Sequence, residues 1–277
     1  MLRLLWPLLV IFALPNLAFA APRAAIVVDA NTREILYSED IDARLHPSQL
    51  TQLMTLVLAF EAVDNDQTNP NDRALISHHA AHQPRPSLGL REGQRIALRY
   101  LLASSASGKR MDAATAMAEH LGGDETRFVE QMNGRAVQLC MLNSRFTNPR
   151  GNGGHSPLNL STAHDLAILG AHIFQNHTEL FALTIRESVT ADGIDLYGTH
   201  ARRASEIGGV TGMMTGYHRE AGFSSLVSLR RNGRDLIAIV LGERGMNAAQ
   251  SRIEHIVSQA TKDNVAGFGV LDHCRIS

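Results

Sequence analysis

The stretch HPSQLTQLMTLVLAFEAV (residues 46–63) contains the longest largely apolar run of the chain after its first twenty residues. From Leu50 onward, apolar side chains fall on nearly every side of a helix, so the pattern predicts a buried helix over residues 50–63. Pro47 and Ser48 precede the run, and we expect Ser48 to be the N-cap of this helix. The run is too short to span a bilayer, so we expect it at the centre of a soluble domain.

Alternating apolar residues near both chain ends predict strands. Residues 24–38 alternate around an Asp-Ala-Asn-Thr turn, and residues 221–243 contain two strands joined by Asn232-Gly233. Residues 112–121, 126–142 and 252–260 have helical spacing, and Ser161 is the expected N-cap of a further helix. Strands at both ends around a helical middle predict an α+β domain, whose antiparallel sheet joins the two ends of the chain.

Two further stretches, SGKRMDAATAMAEHLGG (residues 107–123) and TGMMTGYHREAGF (residues 211–223), follow the first in the chain. Together the three resemble the low-molecular-mass penicillin-binding proteins, which are serine D-alanyl-D-alanine carboxypeptidases of bacterial cell walls. Those enzymes place S-x-x-K, S-x-N and K-T-G motifs around one cleft. The resemblance implies the β-lactamase/DD-peptidase fold, with a sheet from about residues 24–38 and 205–242 and a mostly helical middle.

The reactive residues of the three family motifs are replaced in this chain. Gln49 and Gln52 stand at the serine and lysine of S-x-x-K, and Met214 stands at the lysine of K-T-G. Counted without a gap, residues 109–111 (Lys-Arg-Met) stand at S-x-N, so that Lys109 replaces its serine and Met111 its asparagine. A gapped frame would use residues 105–107 or 107–109 instead, and the sequence leaves both frames open.

The lysine count supports this loss without any alignment. The chain has only two lysines, Lys109 and Lys262, and Ala106 and Gln259 stand three residues before them, so no S-x-x-K exists. A serine hydroxyl is a weak nucleophile until a neighbouring base takes its proton, and a glutamine amide has no nitrogen that titrates near neutral pH. The sequence therefore predicts a non-catalytic relative of these enzymes.

The resemblance also suggests what the cleft still binds. In the family, the K-T-G strand pairs with the substrate backbone and its lysine helps to hold carboxylates. Thr215 and Gly216 keep the backbone of that strand, and Met214 is expected to offer an apolar surface. Lys109 and Arg110 are expected to supply cations from the opposite wall. His218 is either a residue of the cleft edge or an exposed strand end.

The first twenty residues resemble a secretory leader. Arg3 is followed by an apolar core and by an Ala-Phe-Ala cleavage site at residues 18–20. We expect a domain over residues 21–265, a tail over residues 266–277, and an exported protein, periplasmic or extracellular, although a retained leader remains an alternative. An exported protein folds in an oxidising compartment, where Cys140 and Cys274 could form a disulfide. The distance and orientation between the two residues decide whether it forms.

Composition excludes several classes of partner. Twenty-six basic and 27 acidic side chains nearly balance, which argues against nucleic acid, and no cofactor motif occurs. His78, His79 and His82 lack a nearby carboxylate or cysteine, so we expect a solvated helix face and no metal site. The predicted function is a non-catalytic envelope protein that binds a peptidoglycan stem peptide or a cell-wall enzyme. The alternative is a divergent carboxypeptidase with unidentified catalytic substitutes.

Overall fold

The computed structural model describes residues 23–152, 158–191, 194–262 and 267–271. Its strands are β1 (Ala24–Asp29), β2 (Ile35–Glu39), β3 (Arg73–Leu75), β4 (Arg95–Ala97), β5 (Ser188–Ala191), β6 (Ile194–Tyr197), β7 (Val210–His218), β8 (Gly222–Arg231) and β9 (Arg234–Glu243). Its helices are α1 (Gln52–Asp64), α2 (His78–Ala81), α3 (Leu98–Gly108), α4 (Met111–Gly122), α5 (Glu125–Gln138), α6 (Ala163–Asn176), α7 (Thr178–Thr184), α8 (Ala201–Glu206) and α9 (Met246–Ala260).

The main sheet joins the two ends of the chain, as the sequence predicts. Its five strands run in the order β2-β1-β9-β8-β7, and every neighbouring pair is antiparallel. The predicted hairpin of residues 24–38 forms β1 and β2. The predicted Asn232-Gly233 turn joins β8 to β9, and both of its residues have positive φ, as a tight two-residue hairpin turn requires. Strand β7 therefore lies at one edge of the sheet.

Apolar side chains pack on both faces of this sheet. On one face, β1, β8 and β9 pack against the central helices, and α1 is buried along most of its length. On the other face, α9 covers β1, β8 and β9 with Ile253, Ile256 and Val257. The sequence predicts the all-round apolar character of α1, and its burial among α3, α4, α5 and α6 is the physical reason for that pattern.

The entry into α1 differs from the prediction. Residues Ser48–Thr51 form a short 3-10 helix before α1, and Ser48 has φ +53°. The N-cap of α1 is Thr51, and the buried Ser48 Oγ has no hydrogen-bond partner among the described residues. The prediction of Ser48 as N-cap is therefore wrong, because the chain turns one 3-10 turn before the α-helix begins. The cap of α6 is similarly Thr162, whose side chain accepts from Asp165 N, rather than Ser161.

The disulfide that the sequence leaves open and the possibility of a membrane-spanning helix can be compared with the described residues. Cys140 is disulfide-bonded, whereas Cys274 lies outside the described residues, as do the predicted leader and most of the predicted tail. Among the described residues, no helix is both long and apolar enough to cross a membrane.

Candidate functional site

The three motif stretches meet at one place, where the start of α1 faces β7 and the turn between α3 and α4. Lys109 is the C-cap of α3 in left-handed conformation, with φ +55°. Its Nζ donates a hydrogen bond of 2.9 Å to Thr215 Oγ1 on β7. Lys109, which stands at the serine of S-x-N when the motif is counted without a gap, thus contacts the strand that carries Met214. Of the serines in the gapped frames, Ser107 donates to Ala103 O within α3, whereas Ser105 reaches Gln52.

Gln52, which stands at the family's lysine, is fully buried and joins three segments. Its Nε2 donates to the carbonyl oxygens of Arg150 at 2.9 Å and Lys109 at 3.3 Å, and its Oε1 accepts from Ser105 Oγ at 2.8 Å. An amide supplies both donors and an acceptor to this environment, and it does so without a buried charge. The side chain at this position is therefore a structural link and cannot act as a base.

Gln49, which stands at the family's serine, turns toward the edge strand. It is 6% exposed, and its Oε1 accepts a hydrogen bond of 2.9 Å from Tyr217 N. A carboxamide oxygen lies here in place of a hydroxyl, and it is bound to the backbone of β7. This position therefore carries no nucleophile.

The edge of β7 is already hydrogen-bonded. Three backbone N–H groups of β7 point away from β8 and donate to side chains. Met213 N donates to Thr184 Oγ1 at 2.9 Å, and Thr215 N donates to His200 Nε2 at 3.3 Å. Tyr217 N donates to Gln49 Oε1 at 2.9 Å. Asn152 Nδ2 also donates to the carbonyl of Tyr217. The resemblance implies that pairing of a peptide with the backbone of this strand could survive, whereas these three N–H groups are bonded within the chain.

His200 is a buried part of the site that the sequence did not reveal. Because the carbonyl of Thr184 only accepts, His200 Nδ1 carries the proton and donates to it, which leaves Nε2 to accept from Thr215 N. Burial, with a smaller effect of Lys109, lowers the pKa of His200 to about 3. His200 is therefore neutral at physiological pH and holds the middle of β7.

This pKa predicts a loss of stability in acid. Between pH 6.5 and about 3, the unfolded chain binds a proton at His200 that the folded chain does not, so the free energy of unfolding falls as pH falls. From pH 7.5 to pH 5 the contribution is about 2 kcal/mol. Urea unfolding of wild type and His200→Gln at both pH values measures it. Equal pH dependence in the two proteins would contradict the assignment.

Lys109 keeps a positive charge in the cleft despite the loss at Met214. Burial, then the cations Arg110 and Arg203, lower the pKa of Lys109 to about 8. Met214 itself is fully buried in the core, so the expected apolar surface at this position is absent. The cation that the sequence predicts, Lys109, instead donates a hydrogen bond to Thr215, the residue after Met214.

The remaining predicted binding residues lie at the rim of the site. Arg110 is partly buried and donates from Nη1 to Ser87 O at 3.4 Å. His218 lies at the end of β7, with its ring 5.3 Å from that of His46, and burial followed by the proximity of His46 lowers its pKa. His46 Nδ1 in turn donates to the carbonyl of Asn159. His218 is thus half-buried against His46 at the end of β7.

Gly216 is required where β7 passes the 3-10 helix. A Cβ at Gly216 would lie 2.7 Å from Ser48 Cβ and 2.8 Å from Gln49 N. Such distances exclude any side chain unless the backbone shifts. The glycine of the family motif is therefore needed for packing even though the reactive residues around it are replaced.

Side chains of the types that can bind a metal ion lie close together outside this site. His78, His79 and His82 are exposed, and His79 pairs with Glu125. Among the described residues, the group with ligand atoms within 4.8 Å of one another consists of Glu61, His172 and His177. The guanidinium of Arg135 already binds Glu61 Oε1 at 2.5 Å. A cation thus already balances this carboxylate, and the group is an ion-pair network between α1, α5 and α6.

Comparison with known proteins agrees with the fold and with the family that the sequence resembles. The family model described as D-alanyl-D-alanine carboxypeptidase, Peptidase_S11, matches residues 15–245. The carboxypeptidase DacF of Bacillus subtilis is 30% identical over 226 residues, which cover 79% of this chain and 57% of that protein. DacD of Escherichia coli is 28% identical over 223 residues, again 57% of its length. The chain therefore spans a little over half the length of these curated relatives.

Solved structures show the same architecture. Penicillin-binding protein D2 of Listeria monocytogenes, in its ampicillin-bound form, has a TM-score of 0.78 at 27% identity, covering 90% of this chain and 100% of that one. Penicillin-binding protein 6B of Escherichia coli also has a TM-score of 0.78, at 26% identity, covering 86% and 76% of the two chains. The predicted DD-peptidase fold is confirmed, and the chain belongs to the D-alanyl-D-alanine carboxypeptidase family.

Proposed function

We propose that this chain is a non-catalytic member of the family that acts in the cell envelope. In this proposal, residues 1–20 export a domain of residues 21–265, followed by the tail of residues 266–277, to the periplasm or the exterior. There the old cleft binds a peptidoglycan stem peptide or a cell-wall enzyme. Family membership supports the cell-wall setting, because the relatives are named for D-alanyl-D-alanine.

One observation carries the proposal: the residues at the reactive positions are bound into the structure. Gln49 and Gln52 supply neither a nucleophile nor a base, and both amides make hydrogen bonds across the cleft. Loss of a serine nucleophile or its base removes many orders of magnitude of activity. The scaffold is retained while the reacting groups are replaced, which favours binding over chemistry.

The charge of the cleft favours an anionic ligand. Lys109 reaches Thr215 from the α3–α4 turn, and Arg110 and Arg203 lie close enough to affect its pKa. A terminal carboxylate of a stem peptide is the group that such cations attract. The engaged N–H groups of β7 imply that side chains, more than strand pairing, would hold the ligand.

A stem peptide ending in D-alanyl-D-alanine tests the proposal. We expect the wild-type chain to bind this peptide in a calorimetric titration and to release no D-alanine after prolonged incubation. Lys109→Glu should weaken binding at least tenfold and reduce its dependence on salt, because it replaces attraction by repulsion. The other lysine, the exposed Lys262, provides the matched control Lys262→Glu. Equal affinity of the two variants would contradict the role of Lys109, and released D-alanine would contradict the absence of catalysis.

A second candidate is a divergent carboxypeptidase, and a specific contact favours it. Lys109 Nζ lies 2.9 Å from Thr215 Oγ1, and a pKa of about 8 leaves part of the lysine unprotonated at neutral pH. A lysine beside a hydroxyl is a base–nucleophile pair in other enzymes. If this pair acted, D-alanine release would be measurable in wild type and lost in Thr215→Val. The non-catalytic proposal predicts no release from either protein.

A further inference from the structure

The contact between Gln49 and Tyr217 occupies a backbone donor at an edge strand. Unpaired N–H groups of an edge are the groups to which an added peptide strand binds, through its carbonyl oxygens. Gln49 Oε1 is itself an amide carbonyl oxygen, and it accepts from Tyr217 N at 2.9 Å. The chain thus places its own carbonyl where the carbonyl of an extended peptide would bind.

The backbone that carries Gln49 is held on two sides. A Cβ at Gly216 would lie 2.8 Å from Gln49 N, and a Cβ at Gly151 would lie 2.0 Å from Ser48 O. These close approaches show that the 3-10 helix packs tightly against β7 and against residue 151. Rotation of the Gln49 side chain is the smallest movement that would release Tyr217 N.

The Tyr217 end is also the accessible end of the occupied edge. The acceptors at all three N–H groups are buried, Gln49 at 6% exposure included, but Tyr217, the residue that Gln49 binds, is 48% exposed, whereas Met213 and Thr215 are buried. A ligand that approaches from solvent meets Tyr217 first. Gln49 is thus the acceptor that a ligand would have to displace before it pairs with the strand.

We propose that Gln49 is an internal competitor for β7: its carboxamide closes the backbone donor of Tyr217 to the carbonyl of an extended peptide. The inference rests on the proposed function only in taking this cleft as the peptide-binding surface. A peptide that pairs with the strand must displace Gln49, so the side chain lowers the affinity for peptides without contacting a bound one.

Hydrogen exchange and titration of Gln49→Ala test the proposal together. The Tyr217 amide should exchange at least tenfold faster in Gln49→Ala than in wild type, because its acceptor is gone. An N-acetylated peptide ending in D-alanyl-D-alanine should bind Gln49→Ala about tenfold more tightly, because no internal hydrogen bond must be broken. Gln131→Ala, at an exposed position of α5, is the matched control and should behave as wild type. Gln49→Glu, which keeps an acceptor of the same length, should bind no more tightly than wild type.

The outcomes separate this inference from the proposed function. Unchanged exchange of the Tyr217 amide in Gln49→Ala would overturn the inference, and so would faster exchange without any gain in affinity. Neither result bears on catalysis, which is measured by D-alanine release from the same peptide. Release by wild type would overturn the proposed function and leave the exchange result intact.

Discussion

Gln52→Ala should lower the free energy of unfolding by about 4 kcal/mol, because each buried polar group left without a partner costs about 1–3 kcal/mol. The substitution removes the amide that serves the carbonyls of Arg150 and Lys109 and the hydroxyl of Ser105. Gln52 is fully buried, so its three partners have no direct access to bulk solvent. Urea unfolding at pH 7.5 measures the loss.

The exposed Gln131→Ala serves as the control for this measurement and should change stability by less than about 0.5 kcal/mol. A similarly small loss for Gln52→Ala would mean that the amide is not a structural link between the start of α1 and the α3–α4 turn. The position would then have no known role in this chain.

Lys109→Met should stabilise the chain and weaken ligand binding. The pKa of Lys109 falls from 10.5 to about 8 through burial and the nearby arginines, which corresponds to about 3 kcal/mol of destabilisation at pH 7. Loss of the bond to Thr215 offsets about 1 kcal/mol, so we expect a net gain of about 2 kcal/mol. Affinity for the stem peptide should fall at least tenfold, as is common when a destabilising functional residue is replaced.

The pH dependence of the free energy of unfolding provides a second test of Lys109→Met. Between pH 8 and 10.5, the unfolded chain still binds a proton at Lys109 that the folded chain has lost, so wild-type stability rises with pH in this range. The stability advantage of Lys109→Met should therefore shrink as pH rises from 8 to 10.5. A constant advantage would show that the buried charge is not its cause. A stabilised variant with unchanged affinity would mean that Lys109 does not contact the ligand.

The sequence predicted the parts of the fold that local patterns determine. Alternation near both ends predicted the antiparallel sheet, Asn232-Gly233 predicted the β8–β9 turn, and the all-round apolar run predicted the buried α1. The resemblance of the three motif stretches predicted the fold, and in the folded chain Lys109 contacts Thr215 and Gln49 contacts Tyr217.

The sequence did not predict how the replaced side chains are bonded. The contact of Gln49 with Tyr217 spans 168 residues, and the contact of Gln52 with Arg150 spans 98. Such bonds depend on the register between separate elements, which a local pattern does not contain. For the same reason, the burial of Met214 and the role of His200 appeared only in the folded chain.

If the chain is non-catalytic, as we propose, these contacts give a physical account of how the site of the family is stabilised after its reactive residues are replaced. Burial of a serine and a lysine at a reactive site favours the reaction but lowers the stability of the fold. Amides at the same positions satisfy backbone carbonyls and an edge N–H with neutral hydrogen bonds. Lys109, the cation that donates to Thr215, is the one for which we predict a binding role.

The most direct test of the proposed absence of catalysis is the intact mass of the chain after incubation with ampicillin. Penicillin-binding protein D2 of Listeria monocytogenes, whose ampicillin-bound form is known, is the positive control. We predict that the mass of residues 21–277 remains unchanged under conditions that modify the control completely. A gain of one ampicillin would contradict the proposal, and peptide mapping would then identify the nucleophile, with Thr215 the first residue to examine.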